Sequence, residues 1–312
     1  MRFDITQKLA IDGGERAIRT PIPPRKRHGE LEKLYLNEVI DSDTLFFYLG
    51  SKVRELERRF AALYGKTHCV ACSSGGTAAV HMAIACFEFP PGSEVITSAI
   101  TDMGSLTGIL YQGLVPVFAD VEPDTLNMDP LAIRAAITSR TKAILVVHHA
   151  GLAANLEIIF EIGREHGIPV IEDCAQAYGC EYERELVGRR SPVSSFSLNH
   201  FKHITAGSGG MIITSDDRLR YIASLFLDKC YQREERIRDP FFLAPNYQMT
   251  EMQGAVALAQ LERLAEFTTR RQELGSRLSR QLEDIQGITL QHIPPGSKLH
   301  ISFFYSSSIW NG

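Results

Sequence analysis

No stretch of the 312 residues is apolar for long enough to span a membrane, and the start, Met1-Arg2-Phe3-Asp4, lacks the apolar run of a signal peptide. There is no long Lys/Arg block, and the net charge of −4 gives no case for a nucleic-acid partner. The one basic run, Arg25-Lys26-Arg27-His28, follows prolines and reads as a solvated loop. Internal repeats and low-complexity tracts are missing. The six cysteines include Cys69-x-x-Cys72, but no second CxxC or HxxxH completes a metal site. That pair sits on an apolar run, where cysteine serves as a small buried hydrophobe, so no metal is expected. What remains is an ordinary globular composition, 44% hydrophobic and 22% charged. It fits a cytoplasmic protein with one large domain and a smaller one.

Residues 1–34, with Gly13-Gly14, Pro21, Pro23 and Pro24, read as an extended N-terminal arm. Val53, Leu56, Phe60, Ala61 and Leu63 recur at helical spacing over 52–64. An alternation follows. β-prone runs at 68–71, 94–97, 115–119, 143–147, 168–171, 193–198 and 211–214 are interleaved with helical stretches at 77–86, 103–111, after Asp129-Pro130, at 155–166 and at 216–228. Unbroken apolar strands alternating with helices predict an α/β fold, a mostly parallel sheet with helices on both faces, over 35–245. Thr250-x-x-Gln253 has capping-box form and opens one long amphipathic helix, or two broken ones, to about 285. A last β-prone run, 300–305, suggests that residues 246–312 are part of a small C-terminal α+β domain, begun and left incomplete.

Open α/β sheets bind ligands at the carboxyl ends of their strands, and the chemically able residues fall there. Cys72-Ser73-Ser74-Gly75-Gly76-Thr77 leads from a strand into a helix, where backbone amides and the Thr77 hydroxyl suit a phosphate. A tight turn alone accounts for those glycines equally well. The strand at 168–171 ends in Glu172-Asp173-Cys174-Ala175-Gln176. Asp173 is either a helix cap or an anionic partner for a pyridinium nitrogen, with Gln176 one turn on for a phenolic oxygen. Lys202 lies in a polar turn between two strands, five residues after Ser197, where a nucleophilic amine is one reading and a surface charge the other. His200 and His203 read as turn or packing residues.

The order Gly76-Thr77, Asp173, Gln176, Ser197, Lys202 resembles the DegT/DnrJ/EryC1/StrS family of pyridoxal-phosphate-dependent sugar aminotransferases, of fold type I. The resemblance covers roughly residues 8–290 and is most specific at Glu172-Asp173-Cys174-Ala175-Gln176-Ala177, at Phe196-Ser197 to Lys202, and at Asn246-Tyr247-Gln248-Met249-Thr250-Glu251. It implies that Lys202 forms the Schiff base with pyridoxal 5'-phosphate and moves the proton. Asp173 would hold the ring nitrogen, Gln176 the phenolic oxygen, and Gly76, Thr77 and Ser197 the phosphate. Asn246 would reach the cofactor of a neighbouring subunit, which implies a homodimer with shared active sites. The implied reaction moves nitrogen from glutamate or glutamine to a keto-sugar, nucleotide-linked, or to a keto-cyclitol. Two other readings stand beside it: a dehydratase of the same family, whose members carry His in place of the lysine, and a non-catalytic relative. Three departures are visible. Asp102 stands where the family has a ring-stacking aromatic, Ser208 stands where an acidic residue is common, and the family pattern runs on for roughly 60 residues past Gly312.

Overall fold

The computed structural model describes residues 8–21, 24, 26–233, 235–298 and 306–308. The strand expected at 300–305, and Pro23 and Arg25 of the arm, lie outside these. The expected arm gives way at Glu30, before its predicted end at 34, to α1 (Glu30–Asp41), which sequence periodicity does not signal. Then follow α2 (Lys52–Leu63), β1 (His68–Cys72), α3 (Gly75–Ala85), β2 (Glu94–Ser98), α4 (Met103–Tyr111) and β3 (Val115–Ala119). Next are α5 (Pro130–Ala136), β4 (Thr141–Val147), α6 (Leu156–His166) and β5 (Val170–Asp173), a two-stranded hairpin of β6 (Glu181–Tyr182) and β7 (Glu185–Leu186), and β8 (Val193–Ser197). The chain continues through β9 (Gly210–Thr214), α7 (Asp217–Leu227), α8 (Glu251–Glu262), α9 (Leu264–Leu282), β10 (Ile288–Leu290), β11 (Ser297–Lys298) and β12 (Ser306–Ser308).

Seven strands form one sheet in the order β1-β9-β8-β5-β4-β2-β3. All run parallel except β9, which is antiparallel to both β1 and β8. The expected, mostly parallel sheet is therefore present with one reversed strand. Side chains alternate between faces with period two. On β4, Ala143 and Leu145 join the core under α3, α4 and α7, while Ile144 and Val146 join the core under α2, α6 and α8. Both faces are thus covered, which explains strands that read as continuous apolar runs. β3 is an edge strand and tolerates Pro116, whose missing N–H would break a ladder on an inner strand.

Caps set most helix starts. The Asp129 carboxylate accepts from Leu131 N–H at 2.8 Å ahead of Pro130, and Asp216 accepts from Leu219 N–H at 3.0 Å. The capping box is formed as expected: Thr250 Oγ1 accepts from Gln253 N–H at 3.3 Å, and Gln253 Oε1 accepts from Thr250 N–H at 3.1 Å. The helical stretch that follows is two helices, divided at Arg263 (φ −101°, ψ 5°). The start of α2 has no local side-chain cap. Its first amides, of Lys52 and Val53, donate instead to the buried carboxylate of Glu251 at 2.7 and 3.0 Å.

Candidate active site

The carboxyl ends of β1, β8, β5, β4 and β2 share one edge of the sheet, and the start of β9 lies among them. Gly210, the first residue of β9, pairs with both Cys72 and Ser197, bringing the end of β1 beside the end of β8. The chain leaves β1 through Ser73-Ser74 and enters α3. At Gly76 a Cβ would lie 2.8 Å from Ser197 Cβ and 3.1 Å from Ser197 Oγ, so only glycine fits there. The N-terminus of α3, with Gly76 and Thr77, and the Ser197 hydroxyl therefore face one another across a narrow gap. Free amides at a helix start and a hydroxyl together make an anion cradle.

β5 ends at Asp173, only 5% exposed. Its Oδ2 accepts from Ser105 Oγ–H at 2.8 Å and its Oδ1 from Ala175 N–H at 3.0 Å. Burial raises its pKa above the ordinary aspartate value, against the pull of those two donors and of the Lys202 charge. Gln176 follows, buried, and its Oε1 accepts from Ala150 N–H at 2.8 Å. That contact aims the amide: the residue at 150 takes a left-handed conformation (φ +55°) to present its N–H.

Lys202 sits half-buried in the turn after β8. The Ser197 hydroxyl accepts from Asn199 N–H at 3.3 Å, and Lys202 N–H donates to Asn199 O at 2.9 Å, so the turn is closed from its own polar groups. Desolvation lowers the pKa of its amine, while the charges of Asp173 and Asp102 act in the opposite sense. Lys202 thus stands within electrostatic reach of both carboxylates. Asp102, the departure from the aromatic pattern, caps α4 by accepting from Gly104 N–H at 2.8 Å. A Cβ at Gly104 would meet Thr77 Oγ1 at 2.6 Å and Asp102 Oδ1 at 2.9 Å, so the first turn of α4 is pressed against the start of α3. Met103 beside it is exposed. Ser208, the second departure, is exposed near Gly75, whose added Cβ would lie 3.7 Å from Ser208 Oγ.

Gly76, Thr77, Ser197, Asp173, Gln176 and Lys202 lie at or just beyond strand ends on this one edge. Asn246 does not join them. It is exposed, bridged to Asp228, and its side chain caps its own turn at Gln248 N–H. Several contributors carried no sequence signal. Ser105 orients Asp173 and is itself joined to Thr101 Oγ1 at 2.8 Å, but it comes from a helix 68 residues away. Arg27, expected in a solvated loop, donates to the carbonyls of His200 and Lys202. A neutral His148 lies behind Asp173: its Nδ1 accepts from Ala154 N–H, so Nε2 carries the proton and donates to Glu172 Oε2 at 2.9 Å. His148, Glu172 and Cys174 are close enough together to hold a metal ion, yet both ring nitrogens and both carboxylate oxygens already have protein partners.

The residues present suit pyridoxal phosphate: a cradle kept open by Gly76, a buried carboxylate with acceptor capacity left, and an amine whose proton is loosened by burial. Together with the sheet order and its single reversed strand, they define the class of fold-type-I pyridoxal-phosphate enzymes. The profile of the DegT/DnrJ/EryC1/StrS aminotransferase family matches residues 26–311. L-glutamine:2-deoxy-scyllo-inosose aminotransferase of Streptomyces kanamyceticus is 35% identical, over 97% of this chain and 74% of its own length. The spore coat polysaccharide biosynthesis protein SpsC of Bacillus subtilis (strain 168) is 34% identical, over 77% of this chain but only 64% of its own length. The crystal structure of 3-amino-5-hydroxybenzoic acid synthase superposes with a TM-score of 0.85 at 31% identity, covering 90% of this chain and 73% of that one. The chain belongs to the DegT/DnrJ/EryC1/StrS aminotransferase family, whose cofactor is pyridoxal phosphate. It spans less than two thirds of the length of the spore-coat relative.

Proposed function

We propose that the protein transfers an amino group from glutamine or glutamate to a ketone on a cyclitol or on a nucleotide-linked sugar. The convergence of Lys202 and Asp173 on one strand-end edge, with Asp173 held by Ser105, is the observation that carries this reading. When bound, pyridoxal phosphate supplies an electron sink for a carbanion next to nitrogen. Lys202 Nζ would hold the cofactor, and its amine would carry the proton that the transfer needs moved. A half-buried amine with a lowered pKa is fit for both tasks, since it gives up its proton more readily than a solvated lysine. The Asp173 carboxylate would hold the ring nitrogen, the Gln176 side-chain amide the phenolic oxygen, and Gly76, Thr77 and Ser197 the phosphate. Asn246, whose side chain accepts from Gln248 N–H, would serve the cofactor of a second copy in a homodimer.

Glutamine as donor and a cyclitol as acceptor follow the Streptomyces relative; a sugar acceptor follows the spore-coat polysaccharide relative. No helix among the described residues is long and apolar enough to cross a membrane, and the six cysteines are free thiols, in keeping with the reducing cytoplasm. The purified protein is expected to be yellow, and borohydride to fix the colour on a peptide containing Lys202. Glutamine or glutamate is then expected to bleach the untreated protein to the amine form of the cofactor. A colourless protein that takes up no pyridoxal phosphate would sink the reading, and a yellow one untouched by either donor would remove the transferase part.

A further inference from the structure

Arg27, of the basic run at 25–28, stands outside the cluster just described, yet it reaches the turn that carries Lys202. Arg27 Nη1 donates to Lys202 O at 3.1 Å and also to His200 O. These two carbonyls belong to the turn that presents the lysine. The amides of Asn199, Phe201 and Lys202 are satisfied from within the turn, at Ser197 Oγ, Asn199 Oδ1 and Asn199 O. The carbonyls of His200 and Lys202 are satisfied from outside, by a guanidinium 173 and 175 residues earlier in the chain. A guanidinium is planar and rigid, so donors from one group fix the relative position of two acceptors.

The arm that carries Arg27 is itself anchored. Arg27 O accepts from Gln260 Nε2 at 3.1 Å, and the same nitrogen donates to Glu32 Oε1. Glu32 Oε2 accepts from Gly29 N–H at 2.7 Å. Gln260 and Glu32 are buried, at 1% and 2% exposure, so the arm is tied into α8 by polar contacts that solvent does not weaken. The guanidinium is thus held between a fixed helix and the lysine turn.

Lysine reaches its target on a flexible four-carbon stem, and the protein can fix only the end attached to the backbone. We propose that Arg27 is a positioning residue: by clamping the carbonyls of His200 and Lys202, it fixes the backbone from which the Lys202 amine faces Asp173. This rests on the reading of Lys202 as the residue that holds the cofactor. Asp173 and Asp102 are the charged groups that act on that amine, so a shift of the turn changes both reactivity and charge.

The test compares wild type with Arg27→Ala, Arg27→Lys and Gln260→Ala. Two quantities are measured: the rate at which pyridoxal phosphate is captured on the Lys202 peptide, trapped by borohydride, and the pH dependence of Lys202 acetylation by acetic anhydride in the cofactor-free protein. Arg27→Ala is expected to slow capture roughly tenfold, about the loss of one charge-assisted hydrogen bond, and to move the acetylation midpoint. Arg27→Lys should fall between, Gln260→Ala should show the same change at smaller size, and added ethylguanidinium should restore Arg27→Ala. Wild-type capture and an unmoved acetylation profile in Arg27→Ala would overturn the proposal. So would a lowered melting temperature with losses that neither lysine nor ethylguanidinium repairs, because that marks a merely structural arginine. If the wild type itself traps no cofactor on Lys202, the underlying reading of Lys202 fails and the proposal with it; the wild-type lane therefore separates the two failures.

Discussion

Glu172 and Asp173 are consecutive residues of β5, both buried, and their side chains leave opposite faces of the sheet. Glu172 accepts from His148 Nε2 at 2.9 Å, Gly188 N–H at 2.7 Å and Ser191 N–H at 3.0 Å. Burial pushes its pKa up, but these donors more than offset that, and the net shift is downward. Asp173 has two donors, and burial wins, so its pKa is raised. A carboxylate has about four acceptor positions. The rear carboxylate is close to saturated by the protein and so belongs to the fold. The front one keeps capacity unspent and lies within electrostatic reach of Lys202. Two adjacent acidic residues of similar chemistry thus take opposite pKa shifts according to the number of donors each is given.

The contrast breaks most visibly at Asp173. Asp173→Ala is expected to lower transfer by about a thousandfold or more, with the fold retained; turnover and circular dichroism on the same sample check it. The sign for stability runs the other way for Asp173→Asn in the cofactor-free protein. A raised folded pKa gives stability that is present at low pH and lost as pH rises through that pKa. At neutral pH the wild-type charge is therefore a net cost, and the Asn variant should melt no lower than wild type. Glu172→Gln is the next largest effect, a loss of about 3 kcal/mol in denaturant unfolding, because it breaks a buried, hydrogen-bonded network. Its folded pKa is lowered, so the stability it supplies is present above the unfolded value and lost as pH falls through the folded one. Wild-type stability should decline on acidification more steeply than that of Glu172→Gln. The smallest effect is expected from Asp102→Asn. Asn keeps the α4 cap, so stability should change by less than about 0.5 kcal/mol. Without the Asp102 charge the Lys202 amine should lose its proton at still lower pH, measured by acetylation.

Much of this was legible before any coordinates. The strands from β1 to β5, the helices between them and the Thr250 capping box follow from apolar periodicity and short-range chemistry, and they appear within a few residues of expectation. The cluster of Gly76, Thr77, Asp173, Gln176, Ser197 and Lys202 is legible through the family resemblance; strand-end position alone leaves tight turn, helix cap and surface charge open as readings. What escaped was long-range or directional. Nothing local marks β9 as reversed, since an antiparallel strand and a parallel one buried on both faces have the same apolar composition. Ser105 is an ordinary helix serine until α4 packs beside β5. Arg27 looked solvated because its acceptors are carbonyls of a turn 173 and 175 residues away, and backbone acceptors leave no trace in side-chain patterns. α1 went unread because only Glu32 and Val39 of its residues are buried, too few to set a stripe.

The reversed strand and the borrowed cap of α2 also have a consequence for how the protein is made. β1 lies at the edge of the sheet, and its ladder partner is β9, residues 210–214; its other bridge, from Cys72, goes to Gln248. The first turn of α2 is held by Glu251. A ribosome therefore delivers these two elements long before it delivers what secures them. These early elements are locked only once residues 210–251 have been made, and through that interval the apolar face of α2 and the open edge of β1 need shielding from other nascent chains.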